Sequence, residues 1–227
     1  TAGSGNDTIN AEFLGEIISV SSGAGDDSII GSDQADIITA GSGDDTIVGG
    51  DSVDQLFGGD GNDVFIFSNG QFVAAETVNG GAGTNTVLFD SNNITVSAGD
   101  FANKSQIQRI ELQDGNNSLT LSSSLLTGSS AVALSIVSGT GNDTINGSAS
   151  ANRLSIATSD GNDSVSGSGQ ADTILAGDGN DTILGNAGAD SIDAGNDNNT
   201  ITGGADADNL TGGTGNDLFL YANGEFI

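Results

Sequence analysis

The chain contains no cysteine, histidine, methionine, tryptophan or proline. Without cysteine or histidine it can form no disulfide, no thiol nucleophile and no zinc or copper site of the usual kind. It also lacks the commonest general base, and with it any Ser-His-Asp triad. No apolar run approaches the length of a membrane-spanning helix, and no signal peptide opens the chain. These absences argue against an enzyme and against membrane insertion.

Basic residues are scarce as well. Three lysines and arginines stand against 31 aspartates and glutamates, so the formal net charge is −28. A compact state with this imbalance repels itself unless cations neutralise the carboxylates. Nucleic acid is excluded as a partner, because its recognition needs a basic surface. Oxygen is the only ligand type in quantity, and calcium is a hard cation that prefers oxygen.

What the chain does contain is a nine-residue repeat, G-G-x-G-x-D-x-U-x, in which U is a large apolar residue. Seven successive nonads begin at residue 158, and five begin at residue 22. Isolated copies occupy 2–10, 80–88 and 138–146. A flexible linker would not keep an apolar residue in register every nine positions, so the repeat indicates folded structure.

The true period is eighteen, because the fifth position of the nonad alternates along each run. In the second run it reads Asn162, Ala171, Asn180, Ala189 and continues in the same way. A flattened coil with two strands and two turns per lap has this period, and the apolar residue of each x-U-x strand points inward. The expected core residues are Ile47, Leu56, Phe65, Ile174, Ile183, Ile192, Ile201 and Leu210.

The sequence also contains a longer repeat, which spans several nonads. Residues 23–41 match 159–177, and residues 61–73 match 215–227 at an offset that is eighteen residues larger. A solenoid accepts the insertion of one lap, because each lap contacts only its neighbours. The sequence also starts inside a repeat, so we expect a fragment of a longer protein with tandem units.

Nonads such as TSDGNDSVS, GSGQADTIL and AGDGNDTIL resemble the RTX, or hemolysin-type, calcium-binding repeat family. The resemblance implies an all-β fold, a right-handed parallel β-roll (a β-solenoid). Two calcium-binding blocks, 1–88 and 138–220, would be joined by a β-rich spacer without calcium, 89–137. Residues 221–227 would begin a further unit.

The resemblance also implies the metal ligands. Each calcium would lie between turns n and n+2 and take the position-six aspartate and backbone carbonyls from both, with roughly eight ions in all. Asn85, Asn152 and Asn199 replace the acid, so sites there should be weaker or missing, and Arg153 would put a cation where an ion would otherwise sit. The expected ligands are Asp7, Asp27, Asp36, Asp45, Asp54, Asp63, Asp143, Asp163, Asp172, Asp181, Asp190, Asp208 and Asp217.

Residues 89–137 lack the Gly-Asp turns and contain several candidate strands, such as ITV, IELQ, LTL and VALSIV. Part of this segment resembles sequences found between repeat blocks in bacterial adhesins and surface-layer proteins. The simplest interpretation is a solenoid that continues without ions, and a separately packed β-sandwich stays open. We expect Lys104 and Arg109 to form surface ion pairs.

The sequence favours a structural protein of a bacterial cell surface, such as a surface layer, an extracellular filament or a large adhesin. Such proteins are exported by type I secretion and fold on meeting calcium outside, and other copies of the chain are the expected partners. The alternative is the repeat region of a secreted toxin, protease or lipase whose catalytic domain lies elsewhere. Ice binding is disfavoured, because only Thr140 and Thr214 place threonine at the third turn position.

Overall fold

A computed structural model of the chain describes residues 1–122 and 133–221. These residues form 23 short strands and a single turn of 3-10 helix, Ala98–Phe101. No helix among them is long and apolar enough to span a membrane. The strands are β1 Thr8–Asn10, β2 Ser19–Ala24, β3 Ser28–Ile30, β4 Ile37–Ser42, β5 Thr46–Val48, β6 Gln55–Asp60, β7 Val64–Phe67, β8 Thr77–Ala82, β9 Thr86–Phe89, β10 Thr95–Val96, β11 Lys104–Ser105, β12 Arg109–Glu111, β13 Ser118–Thr120, β14 Leu134–Val137, β15 Thr144–Asn146, β16 Leu154–Ala157, β17 Ser164–Ser166, β18 Thr173–Leu175, β19 Thr182–Ala187, β20 Ser191–Asp193, β21 Thr200–Ala205, β22 Asn209–Thr211 and β23 Leu218–Leu220.

The first of two compact units comprises Thr1–Ser91 and Gly99–Glu111. One of its sheets has the strand order β1-β3-β5-β7-β9-β12, and the other has the order β2-β4-β6-β8-β11. All pairings given for these strands are parallel, and successive strands of the chain alternate between the two sheets. Each lap therefore contributes one strand to each sheet, as the eighteen-residue period predicts.

The second unit is built in the same way from the described residues among 92–98, 112–122 and 133–221. Its sheets have the orders β14-β16-β18-β20-β22 and β10-β13-β15-β17-β19-β21-β23. Ile174 pairs with Ile192, and Ile183 pairs with Ile201, so identical nonad positions lie above one another. The predicted fold class, all-β with parallel strands in a β-solenoid, is confirmed.

The segment 89–137 contributes strands to both units. Lys104–Ser105 and Arg109–Glu111 pair in parallel with nonad strands of the first unit. Thr95–Val96, Ser118–Thr120 and Leu134–Val137 pair in parallel within the second. The boundaries drawn from the sequence at 88 and 137 stay a prediction, and the further unit expected at 221–227 lies outside the described residues except for Tyr221.

The core consists of the inward apolar residues of the strands. Seven of the eight expected core residues are buried, whereas Leu210 is half-buried. Leu210 belongs to β22, the last strand of its sheet in the described chain, so a neighbouring strand covers only one side of it. The buried members of the predicted set are Ile47, Leu56, Phe65, Ile174, Ile183, Ile192 and Ile201.

Several laps of the first unit are longer than two nonads, and one of them runs from Leu56 to Val78. Leu56 pairs with Val78, so this lap contains 22 residues. The additional residues carry Phe72, whose ring packs edge-on against Phe67 at 5.1 Å and Phe101 at 5.3 Å. The insertion therefore adds an aromatic cluster to the core of the first unit.

Candidate metal-binding turns

The aspartate at nonad position six lies inside the solenoid. Asp27, Asp45 and Asp63 are at most 3% exposed. Each precedes the apolar core residue of its nonad by two positions, and side chains two apart in an extended segment point to the same side. The geometry that buries the isoleucine therefore buries the carboxylate as well.

Each buried carboxylate accepts a hydrogen bond from the preceding lap. The backbone N–H of Asp27 donates to Oδ1 of Asp45 at 2.7 Å, and the N–H of Asp45 donates to Oδ1 of Asp63 at 3.0 Å. The same bond, repeated lap after lap, forms four rows. Row 1 is Asp7, Asp27, Asp45, Asp63, Asn85 and Gln108; row 2 is Asp36, Asp54 and Glu76; row 3 is Asn117, Asp143, Asp163, Asp181, Asn199 and Asp217; row 4 is Asp172, Asp190 and Asp208.

The rows contain all the aspartates that the sequence singled out, and in most of them the second carboxylate oxygen has no protein partner. A carboxylate oxygen that is buried without a hydrogen bond costs free energy, and a bound cation would remove that cost. Buried carboxylate oxygens without a partner are Oδ2 of Asp27, Asp45, Asp63, Asp143, Asp163, Asp181 and Asp190, and Oε2 of Glu76.

Glycine at nonad position one leaves space beside these oxygens. A Cβ atom on Gly49 would overlap Oδ2 of Asp54, and one on Gly58 would overlap Oδ2 of Asp63. The same holds at Gly185, Gly203 and Gly212. The turns in the described residues gather no three acidic side chains at one point, so backbone carbonyls must complete any cation site. Carboxylate and carbonyl oxygens together are a ligand set that fits calcium.

Burial makes the ionised form of these carboxylates unfavourable. Desolvation is the largest cause, and it raises the pKa of Asp54, Asp63, Asp163 and Asp190 to about 6. It also raises the pKa of Asp45, Asp143, Asp172 and Asp181. The negative charge of the neighbouring row member adds to the effect at several of them, as Asp45 does for Asp63.

Three row members were missed by the sequence analysis: Glu76, Gln108 and Asn117. All three lie outside the nonad register, because inserted residues separate them from the preceding turn. A local signal was present nevertheless: each precedes a buried apolar residue of a strand (Val78, Ile110 or Leu119) by two positions. The amides of Asn85 and Asn199 occupy row positions as expected.

The assignment of Asn152 to the acid position is wrong. Leu154 occupies that place: its backbone N–H donates to Oδ1 of Asp172 at 2.7 Å, and Ile156 pairs with Ile174. Two additional residues precede the next nonad, which moves the register by two. Arg153 is exposed and donates from Nε to the carbonyl oxygen of Ala171 at 2.8 Å.

Lys104 is not the surface residue that the sequence suggested. Its side chain is buried, and Nζ donates to the carbonyl oxygens of Val73 at 2.5 Å and Glu76 at 2.7 Å. The ammonium also lies 4.8 Å from the ring centroid of Phe72. Burial lowers the pKa of Lys104 to about 8 and raises that of Glu76 to about 7, while each charge opposes the shift of the other. Arg109 does form the expected ion pair, with Glu111.

The fold and the rows define a class of protein, a parallel β-solenoid whose turns suit oxygen-coordinated cations. The family of the RTX calcium-binding nonapeptide repeat (4 copies) matches residues 19–47, 40–71, 135–155, 157–192 and 184–219, which is more than half of the chain. The chain therefore belongs to the RTX calcium-binding repeat family, and it is a calcium-binding repeat protein. No curated protein and no solved structure matches it.

Proposed function

We propose that this chain is a structural region of a bacterial cell-surface protein that calcium folds and rigidifies after secretion. The observation that carries the proposal is the set of buried carboxylate oxygens without a partner along the four rows. Together with the net charge of −28, they make the compact state unfavourable wherever calcium is scarce. A surface layer, an extracellular filament or a large adhesin is the context we propose.

We further propose that calcium binds at the rows through the carboxylates of the glycine-rich turns. Each ion would neutralise charge and connect successive laps, and it would bring no reaction of its own. The turns of Asp36 and Asp172 differ in their hydrogen bonding, and these two aspartates are not among the proposed ligands. The proposed ligands are Asp7, Asp27, Asp45, Asp54, Asp63, Asp143, Asp163, Asp181, Asp190, Asp208 and Asp217.

Export and assembly follow from the same physical chemistry. A chain that repels itself without calcium stays unfolded in a low-calcium cytosol, which suits type I secretion, and it folds outside. Repeat units in tandem suit self-association into a lattice or a filament. Calcium ions and further copies of this chain are the proposed partners, and a basic surface that could bind nucleic acid is ruled out by composition.

Far-ultraviolet circular dichroism during a calcium titration tests the proposal. The chain is first stripped of metal by a chelator, and a magnesium titration at equal ionic strength is the control. We expect a cooperative change from coil to β-structure near millimolar calcium that magnesium does not produce, because magnesium accepts only near-ideal octahedral geometry. A β-spectrum that persists in chelator would refute the proposal, since the rows would then be stable without an ion.

A further inference from the structure

Two turns of the rows differ in backbone from a typical glycine-rich turn. They have the sequence G-S-x-Q-A-D and occupy residues 31–36 and 167–172. A typical turn has positive φ at nonad positions two and four, for example +130° at Gly41 and +129° at Gly43. The corresponding serines and glutamines of the two G-S-x-Q-A-D turns do not lie in this left-handed region. Their backbone carbonyls therefore take other directions than those of the glycine-rich turns.

The serine of each turn hydrogen-bonds to the carboxylate of its own turn. The backbone N–H of Ser32 donates to Oδ2 of Asp36 at 2.6 Å, and its hydroxyl lies 3.0 Å from both carboxylate oxygens. In the second unit, the N–H of Ser168 donates to Oδ2 of Asp172 at 2.6 Å, and its hydroxyl donates to Oδ1 at 2.9 Å. The backbone N–H of the serine therefore satisfies Oδ2 in both turns; the Ser168 hydroxyl adds a second donor, and the Ser32 hydroxyl also lies 3.0 Å from the carbonyl oxygen of Glu16.

The hydrogen bonds continue from the serine into the turn. The hydroxyl oxygen of Ser32 accepts the N–H of Gln34 at 3.1 Å, and that of Ser168 accepts the N–H of Gln170 at 3.0 Å. Serine hydroxyls stabilise tight turns by such bonds to the backbone two residues on. The turn is thus closed by protein groups alone.

Both carboxylate oxygens are satisfied in these turns. Oδ1 of Asp36 accepts the N–H of Ile18 at 2.8 Å, which is the ordinary row bond, and Oδ2 accepts from Ser32. Asp45 and Asp63, in glycine-rich turns of the same unit, have a buried Oδ2 without a partner. An N–H dipole directed at Oδ2 also places positive charge where a cation would have to approach.

We propose that the turns 31–36 and 167–172 are closed without metal, and that Ser32 and Ser168 take the place of a calcium ion. Asp36 and Asp172, which the nonad pattern marks as ligands, then bind no calcium. The proposal rests on the proposed function, because it contrasts these two turns with glycine-rich turns that bind the ion. Each unit would hold one turn of this kind, at corresponding places of the long repeat.

Native mass spectrometry of the whole chain in calcium tests the proposal by counting bound ions. D36N and D172N are compared with D45N, the matched change in a glycine-rich turn. We expect D45N to lose at least one ion and D36N and D172N to retain the number found in the wild type. Loss of an ion from D36N or D172N would overturn the inference.

A gain-of-binding variant gives a second readout that does not depend on removing a carboxylate. S32G/Q34G and S168G/Q170G restore glycine where the other turns have positive φ, and they remove the serine hydroxyl. We expect each to bind at least one additional ion, and an unchanged count would also overturn the inference. A wild-type chain that binds no calcium would instead refute the proposed function, so the two failures are distinguishable.

Discussion

Removing calcium should make the stability of the fold strongly dependent on pH. Asp54, Asp63, Asp163 and Asp190 are buried, and their pKa rises from 3.8 to about 6 in the folded chain. A rise of this size corresponds to about 3 kcal/mol of folding free energy for each carboxylate. Neighbours in one row titrate together, so the sum over the four, on the order of 10 kcal/mol, is an upper limit. That limit is comparable with the whole stability of an ordinary domain, about 5–15 kcal/mol.

The direction in which stability changes with pH follows from the number of protons that the folded and unfolded chains bind. Between about pH 4 and about pH 6 the folded chain holds more protons than the unfolded chain, so stability falls as the pH rises through this window and stays low above it. We therefore expect metal-stripped protein to show more β-structure at about pH 5 than at about pH 7.5, measured by circular dichroism at constant ionic strength. With saturating calcium the difference should shrink. Greater stability at neutral pH in the metal-free chain would refute the reasoning.

Two substitutions with matched controls test single parts of the structure. D45N should raise the calcium concentration at the folding midpoint by about tenfold or more, because it removes a buried row carboxylate; D44N, at an exposed position where other turns carry asparagine, should change it little. K104M should lower the free energy of unfolding in calcium by about 3 kcal/mol, because it leaves Glu76 without the opposing charge and three carbonyl groups without their donor. R109Q, which breaks a partly exposed ion pair, should cost less than about 1 kcal/mol in denaturant titration. Equal effects of the two members of either pair would contradict the corresponding argument.

Strict periodicity is what made most of the fold predictable. Ile29, Ile47 and Phe65 lie eighteen residues apart, and the structure pairs them across adjacent parallel strands. The row aspartates share that register, so their alignment could be predicted as well. Their direct hydrogen bonds to the backbone of the neighbouring lap could not, because the nonad specifies which residues stack but not the distance between them.

The errors occur where the period is interrupted. Two apolar residues two positions apart, Leu154 and Ile156, both suit the core position, and nothing in the nonad pattern favours the second over the first. Lys104 was misjudged for a related reason. Its burial depends on Phe72 and on the carbonyl oxygens of an inserted loop, and such contacts between non-repeating segments leave no mark in a repeat pattern.

The rows give a physical reason for the proposed dependence of this solenoid on a cation. Its core is thin, because each turn contributes one large apolar residue. A carboxylate occupies the inward position two residues before that apolar residue. The Oδ1 atom of that carboxylate joins neighbouring laps through the backbone, while Oδ2 is left in an environment that disfavours its charge. We therefore expect an aspartate row to be stable only when a positive charge or a hydrogen-bond donor lies beside Oδ2. Lys104 supplies the positive charge near Glu76, and serine N–H groups donate to Asp36 and Asp172. Calcium is the cation that we propose at the remaining turns.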